Sequence, residues 1–249
     1  MSTEKLSVFE EGKILLFDKP LYWTSFDLVN KVRMMIRGTF KIKNIKVGHA
    51  GTLDPLARGL MIICTGKATK RIDEFRDLDK EYVATFQLGA TTPSFDLETE
   101  TDNQYPVSHI NEELVNEVLK SFLGEQKQLP PMYSAKLIGG KRAYDFARQG
   151  IHKELDPVIV FFREIELISY EMPKLVVRIV CTKGTYIRSF ARDLGQALKS
   201  GSYLSALERT GIGVYNVKDA YSLESFKEYI EQMNTSRYSD KNTNNQSNF

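Results

Sequence analysis

The chain is poor in the residues that build metal sites, redox centres and membrane spans. Its 249 residues include two cysteines, three histidines and one tryptophan. Cys64 and Cys181 lie far apart in apolar segments and form no C-x-x-C pair, so neither a zinc site nor a redox motif is indicated. The histidines lack the spacing of metal ligands. No apolar stretch reaches the roughly 20 residues of a membrane span, and no signal region opens the chain. We therefore expect a cytoplasmic protein with two buried thiols and no metal.

A large excess of one charge sign is also missing, because 34 lysines and arginines face 32 acids. Any nucleic-acid surface must then come from local clustering. Between Leu28 and Leu53 the sequence has six basic residues and no acid, namely Lys31, Arg33, Arg37, Lys41, Lys43 and Lys46. Such a cluster suits the phosphates of a polyanionic substrate. From charge alone, a solvated helix face is an equally good interpretation.

The segment from Gly48 to Lys70, GHAGTLDPLARGLMIICTGKATK, carries one aspartate in a loop rich in glycine and proline. Pro55 restricts Asp54 to extended backbone conformations, and the apolar stretch that follows anchors the loop. This pattern predicts a carboxylate held in a fixed position. Asp-Pro is also a common turn dipeptide, and the segment alone favours a solvated turn aspartate.

The remaining pattern predicts a mixed α+β domain over residues 13–233, between a flexible N-terminus over 1–12 and a disordered Asn/Ser-rich tail over 234–249. Thr24 to Asp27 has the spacing of a capping box, followed by a helix to about Arg37. Strands are predicted at 14–17, 45–47, 82–88, 158–170 and 175–181, and helices at about 68–75, 111–122, 141–148, 188–198 and 223–233. Residues 89–109 are polar and are interpreted as a long surface loop.

Three further features accompany Asp54. Tyr82 begins a strand, the segment Lys183 to Arg188 reads KGTYIR at a strand-to-helix junction, and Pro130 to Ala135 reads PPMYSA before a basic turn. Each alone has an ordinary structural explanation, as a core aromatic, a helix charge or a rigid connector.

Together, these motifs resemble those of the tRNA pseudouridine-55 synthases, the TruB family. The Asp54 loop resembles the segment around the family's catalytic aspartate. Asp18-Lys19-Pro20 with Thr24-Ser25, Lys80-Glu81-Tyr82, the Pro-Pro segment, the KGTYIR segment and 204–210 resemble its other motifs, in the family's order over roughly residues 13–225. So many motifs in register are not expected by chance.

The resemblance implies the pseudouridine synthase fold, with a mixed, mostly antiparallel sheet flanked by helices and loops. It assigns Asp54 as the nucleophile, Tyr82 as the active-site tyrosine and Arg188 as the arginine that pairs with the aspartate. His49 matches the histidine that holds the flipped-out nucleotide, and Tyr186 and Leu207 match positions that line the uridine pocket. The implied substrate is uridine 55 in the T loop of tRNA, bound through its T arm. No obligatory protein partner is expected.

The implied reaction breaks the bond between uracil N1 and the ribose, turns the base and rejoins it through C5. It changes no redox state, so no cofactor is expected. The base must be flipped out of the folded tRNA to reach the site. Asp54 attacks ribose C1′, attacks uracil C6 or assists an elimination, and the sequence leaves all three open.

The sequence departs from the family at several positions. Tyr22 stands where the family usually has glycine, the lysine after Ser134-Ala135 is displaced by one position, and Glu208 follows Leu207 where an arginine is usual. A carboxy-terminal RNA-binding domain is not expected, which predicts weaker, more salt-sensitive tRNA binding. The alternatives are a non-catalytic RNA-binding or tRNA-folding protein, and the guide-RNA-dependent branch of the superfamily.

Overall fold

The computed structural model describes residues 7–134, 136–149, 151 and 155–245. The helices are α1 (Val8–Glu11), α2 (Ser25–Phe40), α3 (Ile72–Arg76), α4 (Glu112–Ser121), α5 (Ala143–Ala147), α6 (Ile187–Ala197) and α7 (Leu223–Asn245), with 3₁₀ helices at Gly66–Arg71 and Val217–Asp219. The strands are β1 (Ile14–Lys19), β2 (Val47–His49), β3 (Ala57–Thr65), β4 (Lys80–Leu88), β5 (Ala90–Thr91), β6 (Asn103–Gln104), β7 (Gly124–Gln128), β8 (Leu137–Ile138), β9 (Lys141–Arg142), β10 (Val158–Glu171), β11 (Lys174–Cys181), β12 (Ser202–Ile212) and β13 (Tyr215–Asn216).

The chain divides into two compact units. The first contains the residues up to Asp77 together with those from Val214 onward, and the second contains Leu78–Gly213. Ala135 of the Pro-Pro segment, Gly150, His152 and residues 246–249 of the predicted tail lie outside the described residues. No helix among the described residues is long and apolar enough to cross a membrane.

In the first unit, β1 and β2 both pair with β3 in antiparallel register, Ile14 opposite Cys64 and Val47 opposite Thr65. β3 is the best-buried strand, because every residue from Gly59 to Thr65 is buried. An aromatic cluster supports the sheet, with the Phe17 and Phe226 ring centroids 4.9 Å apart. The apolar residues that follow Asp54 thus anchor its loop as a buried strand.

The predicted start of α2 is confirmed, and its predicted end differs. The Thr24 side chain accepts from the Asp27 N–H and the Asp27 carboxylate accepts from the Thr24 N–H, forming a capping box. The helix runs past Arg37 and Gly38 to Phe40, and Lys41 ends it in a left-handed conformation with φ 54°. A solvent-exposed glycine weakens a helix by only about 1 kcal/mol, which the flanking buried residues of α2 offset.

The second unit is built on an antiparallel sheet in the order β12-β4-β11-β10-β7. β4 lies between β11 and β12, with Tyr82 opposite Ile179 on one side and Arg209 on the other. Aromatic rings from the sheet and from α6 fill the core. The ring centroid of Phe190 of α6 lies 5.5 Å from that of Phe86 and 5.2 Å from that of Phe162. The predicted α+β class with a mostly antiparallel sheet flanked by helices is confirmed.

Other segments also differ from the sequence expectations. The terminal helix α7 continues beyond residue 233 to Asn245, because no proline or glycine interrupts the sequence between these two positions. The predicted flexible N-terminus contains α1, whose Phe9 is fully buried. Residues 89–109 were expected to form a surface loop, but Thr92, Ser94 and Asp96 are buried there.

Both cysteines are buried and unbonded. Burial raises the thiol pKa of Cys64 to about 11 and that of Cys181 to about 12. A thiol needs its thiolate to react, so both side chains behave as small apolar core groups near neutral pH.

Candidate active site

Asp54 lies in the loop that connects β2 to β3 in the first unit, and its side chain is half-buried. Its backbone carbonyl accepts from the Ala57 N–H at 3.0 Å, which closes a tight turn at the start of β3. On the other side of the loop, the Ala50 N–H donates to the Ile62 carbonyl at 3.0 Å. The carboxylate is thus carried on a short connection that is bonded to β3 at both ends.

A buried serine from another segment fixes the residue next to Asp54. The Ser25 hydroxyl donates to the Leu53 carbonyl at 2.9 Å and accepts from the Leu53 N–H at 2.8 Å. Ser25 opens α2, where the capping box sets the backbone, and Leu53 is itself 4% exposed. One side chain therefore satisfies both backbone groups of Leu53 and ties the loop to the start of α2.

We expect Ser25→Ala to loosen the Asp54 loop. The substitution removes both hydrogen bonds to a buried backbone unit, so the free energy of unfolding falls by about 1–3 kcal/mol. We expect the rate of the reaction that the sequence predicts to fall with it, because the predicted nucleophile Asp54 loses its fixed position. Urea denaturation and single-turnover kinetics measure the two effects.

Ser121→Ala is the matched control, because Ser121 is exposed and its hydroxyl donates only to the Val118 carbonyl of its own helix. Exposed substitutions of this kind change stability by less than about 0.5 kcal/mol. A Ser25→Ala protein with the wild-type rate and stability would show that the hydroxyl does not hold the loop.

His49 ends β2, also in the first unit, opposite Ile63 of β3. The guanidinium of Arg33 supports this strand by donating to the Val47 carbonyl at 3.1 Å, and it also donates to the Asn30 side chain. Arg33 of the basic cluster therefore supports the strand that carries His49. The other five members of the cluster are exposed, namely Lys31, Arg37, Lys41, Lys43 and Lys46.

In the second unit, Tyr82 and Leu207 share one face of the sheet. Tyr82 is 9% exposed and lies opposite Arg209, while Leu207 lies opposite Ala84 without an intervening bulge. Because alternate residues of a strand point to the same face, Tyr82 and Leu207 are diagonal neighbours across β4 and β12.

The strand that carries Tyr82 is tied to both of its neighbours. The Glu81 carboxylate accepts from Arg178 of β11 at 2.8 Å and from the Thr210 hydroxyl of β12 at 2.7 Å. These contacts lie on the face opposite to Tyr82 and fix its strand in register.

Tyr186 is the N-cap residue of α6, and a buried glutamine fixes its backbone. The Tyr186 N–H donates to Gln128 Oε1 at 2.8 Å, and its carbonyl accepts from Gln128 Nε2 at 3.1 Å. Gln128 is 3% exposed and lies two residues before the Pro-Pro segment. Ser189 of α6 adds a bond from its hydroxyl to the Leu129 carbonyl at 2.8 Å. The motif around Tyr186 and the Pro-Pro segment are thus joined directly.

Arg188 is the second residue of α6, and its side chain is 6% exposed. Its Nε lies 3.5 Å from Oδ2 of Asp96, whose side chain is 7% exposed. Its Nη1 also lies 3.5 Å from the Ser94 carbonyl. A buried charge needs a partner of opposite charge, and Asp96 is one that the sequence analysis did not identify.

The loop around Asp96 is fixed by its own contacts. Phe95 has a positive φ of 63°, a conformation that is unusual for a bulky residue, and its carbonyl accepts from the Leu204 N–H at 2.9 Å. The Thr92 hydroxyl donates to the Asp96 carbonyl at 2.7 Å, and the Glu98 N–H donates to Asp96 Oδ1 at 2.9 Å. Strained residues of this kind cluster at functional sites.

The structure therefore groups Tyr82, Tyr186, Arg188 and Leu207 in the second unit, and Asp54 with His49 in the first. The pairing of Asp54 with Arg188 stays a prediction, because the two residues belong to different units. Within the described segments, no group of three or more histidine, cysteine or acidic side chains could hold a metal ion.

Sequence comparisons find relatives over nearly the whole chain. The family description "TruB family pseudouridylate synthase (N terminal domain)" matches residues 37–187. A protein named tRNA pseudouridine synthase B from Phocaeicola vulgatus is 57% identical over 224 residues, which cover 90% of this chain and 95% of that relative. A protein of the same name from Bacteroides thetaiotaomicron is 51% identical over 238 residues, covering 94% of this chain and 99% of the relative.

Solved structures with a similar fold come from larger assemblies. A chain of a Cbf5-Nop10-Gar1 complex matches with a TM-score of 0.66 at 27% identity, over 89% of this chain and 55% of that one. A chain of an H/ACA RNP bound to a substrate RNA containing 2′-deoxyuridine matches with a TM-score of 0.62 at 25% identity, over 89% and 54% of the two chains.

Proposed function

The chain belongs to the TruB family of pseudouridylate synthases, and from this membership we propose that it isomerises uridine 55 in the T loop of tRNA. Its activity is tRNA pseudouridine synthesis, in agreement with the names of relatives that are more than half identical to it over the 224 aligned residues. The pseudouridine synthase fold and an isomerase function agree with this assignment. We also propose that the protein binds the tRNA through its T arm and that single residues have the roles given below.

The observation that carries the proposal is the fixed position of Asp54. A nucleophilic carboxylate must meet one atom of a flipped nucleotide, so its loop has to be rigid before the substrate arrives. The two hydrogen bonds between the Ser25 hydroxyl and the Leu53 backbone, and the bond from the Ala57 N–H to the Asp54 carbonyl, supply that rigidity. We assign Asp54 as the nucleophile and His49, on the preceding strand, as the residue that holds the opened T loop.

The second unit supplies the surroundings of the base in this proposal. Tyr82 presents an aromatic ring on the face that it shares with Leu207, which suits stacking on a planar uracil. We assign Tyr186 to the lining of the uridine pocket and Arg188 as the arginine that pairs with Asp54, as the family resemblance implies. Asp96 is a positioning residue, because it holds the Arg188 side chain rather than the substrate.

The reaction proceeds without a change of oxidation state. The bond between N1 and C1′ breaks, a bond between C5 and C1′ forms, C5 loses its proton and N1 gains one. The product is an isomer of the substrate, so no oxidant or reductant is required, and the uracil that departs through N1 is the group that rejoins through C5. The residues need to bind, orient and move one proton, and we assign Tyr82 to the side of the site that receives the base.

We expect the purified protein to convert the target uridine in an unmodified tRNA transcript and in a T-arm hairpin. Pseudouridine-specific chemical mapping identifies the modified position. A hairpin with cytidine at the target position is the control, since it should bind without reaction. Modification at a position outside the T loop would contradict the T-arm assignment alone.

Binding of the hairpin without any conversion would contradict the enzyme assignment. That result would favour the alternative, a non-catalytic protein that binds or folds tRNA through the same surface. The two outcomes are distinguished in one assay, because binding and conversion are measured on the same RNA.

A further inference from the structure

A short turn before α2 is tied directly to the loop that carries Asp54. Lys19 is fully buried, and its ammonium donates to the Pro20 carbonyl at 2.9 Å and to the Trp23 carbonyl at 2.6 Å. The Tyr22 N–H then donates to the Pro55 carbonyl at 2.7 Å. The backbone of Tyr22 is therefore bonded to the residue that directly follows Asp54 in the chain. Both residues belong to the first unit.

Tyr22 occupies a conformation that its own side chain disfavours. Its φ is 67°, in the left-handed region where glycine is the usual residue, and a bulky side chain there raises the energy of the folded state. Packing does not offset this, because the side chain is 74% exposed. A rigid aromatic ring is thus presented to solvent at a position where glycine would give a more stable protein.

The surface around this ring has the composition of a site for unpaired nucleotides. Leu21 is 42% exposed and Phe26 is 63% exposed, so apolar side chains lie on both sides of Tyr22 in the sequence. The same helix that carries Phe26 has exposed Lys31 and Arg37 further along. Aromatic rings that stack on bases, combined with cations that contact phosphates, are how proteins bind single-stranded RNA.

We propose that Tyr22 is a stacking residue for an unpaired base of the RNA substrate, next to the nucleotide that enters the Asp54 loop. This inference rests on the proposed function. Flipping one nucleotide into the site leaves its neighbours without a stacking partner. The Tyr22 backbone is already bonded to the Pro55 carbonyl, so its ring restores that partner at no further loss of backbone entropy. The strain at Tyr22 is then retained because the ring contributes to substrate binding.

Tyr22→Gly tests this inference without endangering the fold, because glycine adopts positive φ readily. We expect the dissociation constant for a T-arm hairpin to rise by about 5- to 100-fold, as for the loss of one stacked base. The single-turnover rate at saturating RNA stays near that of the wild type. Tyr22→Phe and Tyr22→Trp keep a ring and bind like the wild type.

Lys199→Gly is the matched control, because Lys199 is exposed and has a φ of 51° in the second unit. It relieves the same kind of strain without removing an aromatic ring, so RNA affinity is expected to be unchanged. Equal losses of affinity in Tyr22→Gly and Lys199→Gly would contradict the stacking role.

Hairpins with a single abasic nucleotide near the target identify the stacked base. At one such position, Tyr22→Gly and the wild type should bind equally, since the contact is already lost. If Tyr22→Gly weakens binding equally at every abasic position, or not at all, the inference is wrong. Wild-type protein that binds with this pattern but forms no pseudouridine would refute the proposed function and leave the stacking role standing.

Discussion

Asp54→Asn is expected to abolish pseudouridine formation while RNA binding persists. Asparagine has the size and shape of aspartate, and the bonds that fix this loop use the backbone of Leu53, Asp54 and Ala57. The loop therefore stays in place, and only the nucleophile is lost. Loss of a nucleophilic side chain lowers the rate by at least about 10⁴-fold.

The measurement is single-turnover conversion of a T-arm hairpin at saturating protein, beside the dissociation constant for the same RNA. Asp73→Asn is the control, because Asp73 is an exposed aspartate of the same unit whose ion pair with Arg76 lies at the surface. Exposed pairs contribute about 0–1 kcal/mol, so its activity and stability should match those of the wild type. Substantial residual activity in Asp54→Asn would exclude the nucleophile role and leave the family assignment unaffected.

The position of the Asp54 loop could be predicted from the sequence, but the contacts that hold it could not. Glycine and proline around an aspartate, followed by an apolar stretch, are local features that a sequence displays directly. The hydrogen bonds that hold Leu53 come from Ser25, which lies in a different segment of the chain. From the sequence, a serine at the start of a helix is interpreted as a capping residue, and its other hydrogen bonds are not visible. Its bonds to Leu53 depend on tertiary packing.

The burial of Asp96 could not be predicted for a related reason. A loop with many acids and threonines has the composition of a solvated connection, and residues 89–109 were interpreted in that way. The partner that makes burial of Asp96 favourable is Arg188, which arrives on a helix from a distant part of the sequence. The positive φ of Phe95, which marks the loop as strained, is visible only in the structure.

β12 was missed as a strand because its sequence breaks the usual alternation. Its residues pair with β4, but two register shifts, between Leu204 and Ala206 and between Arg209 and Gly211, interrupt the period of two. It also buries a charged side chain, Arg209, at 1% exposure opposite Tyr82. Leu207, which the family resemblance assigns to the uridine pocket, lies in this strand, whereas hydrophobic patterning did not assign the segment at all.

The second large effect is expected for Asp96→Ala, which should lower the free energy of unfolding as well as the activity. Both side chains of the Asp96–Arg188 pair are less than a tenth exposed, at 7% and 6%. Removing the carboxylate leaves a buried guanidinium without this counter-charge, which destabilises a protein by about 3–5 kcal/mol. For a chain of this size the melting temperature falls by about 6–20 °C. Activity falls as well, because Arg188 loses the contact that positions it.

Thermal unfolding of a mutant cycle decides whether the effect comes from the pair. Arg188→Met removes the charge and keeps an apolar side chain of similar length, so the double variant should lose less stability than the sum of the single losses. Asp102→Ala is the control, since Asp102 is exposed in the same polar segment and binds the Thr91 hydroxyl. Additive losses in the cycle would show that Asp96 and Arg188 act independently. A strongly non-additive cycle would identify Asp96 as a residue that holds Arg188 in place.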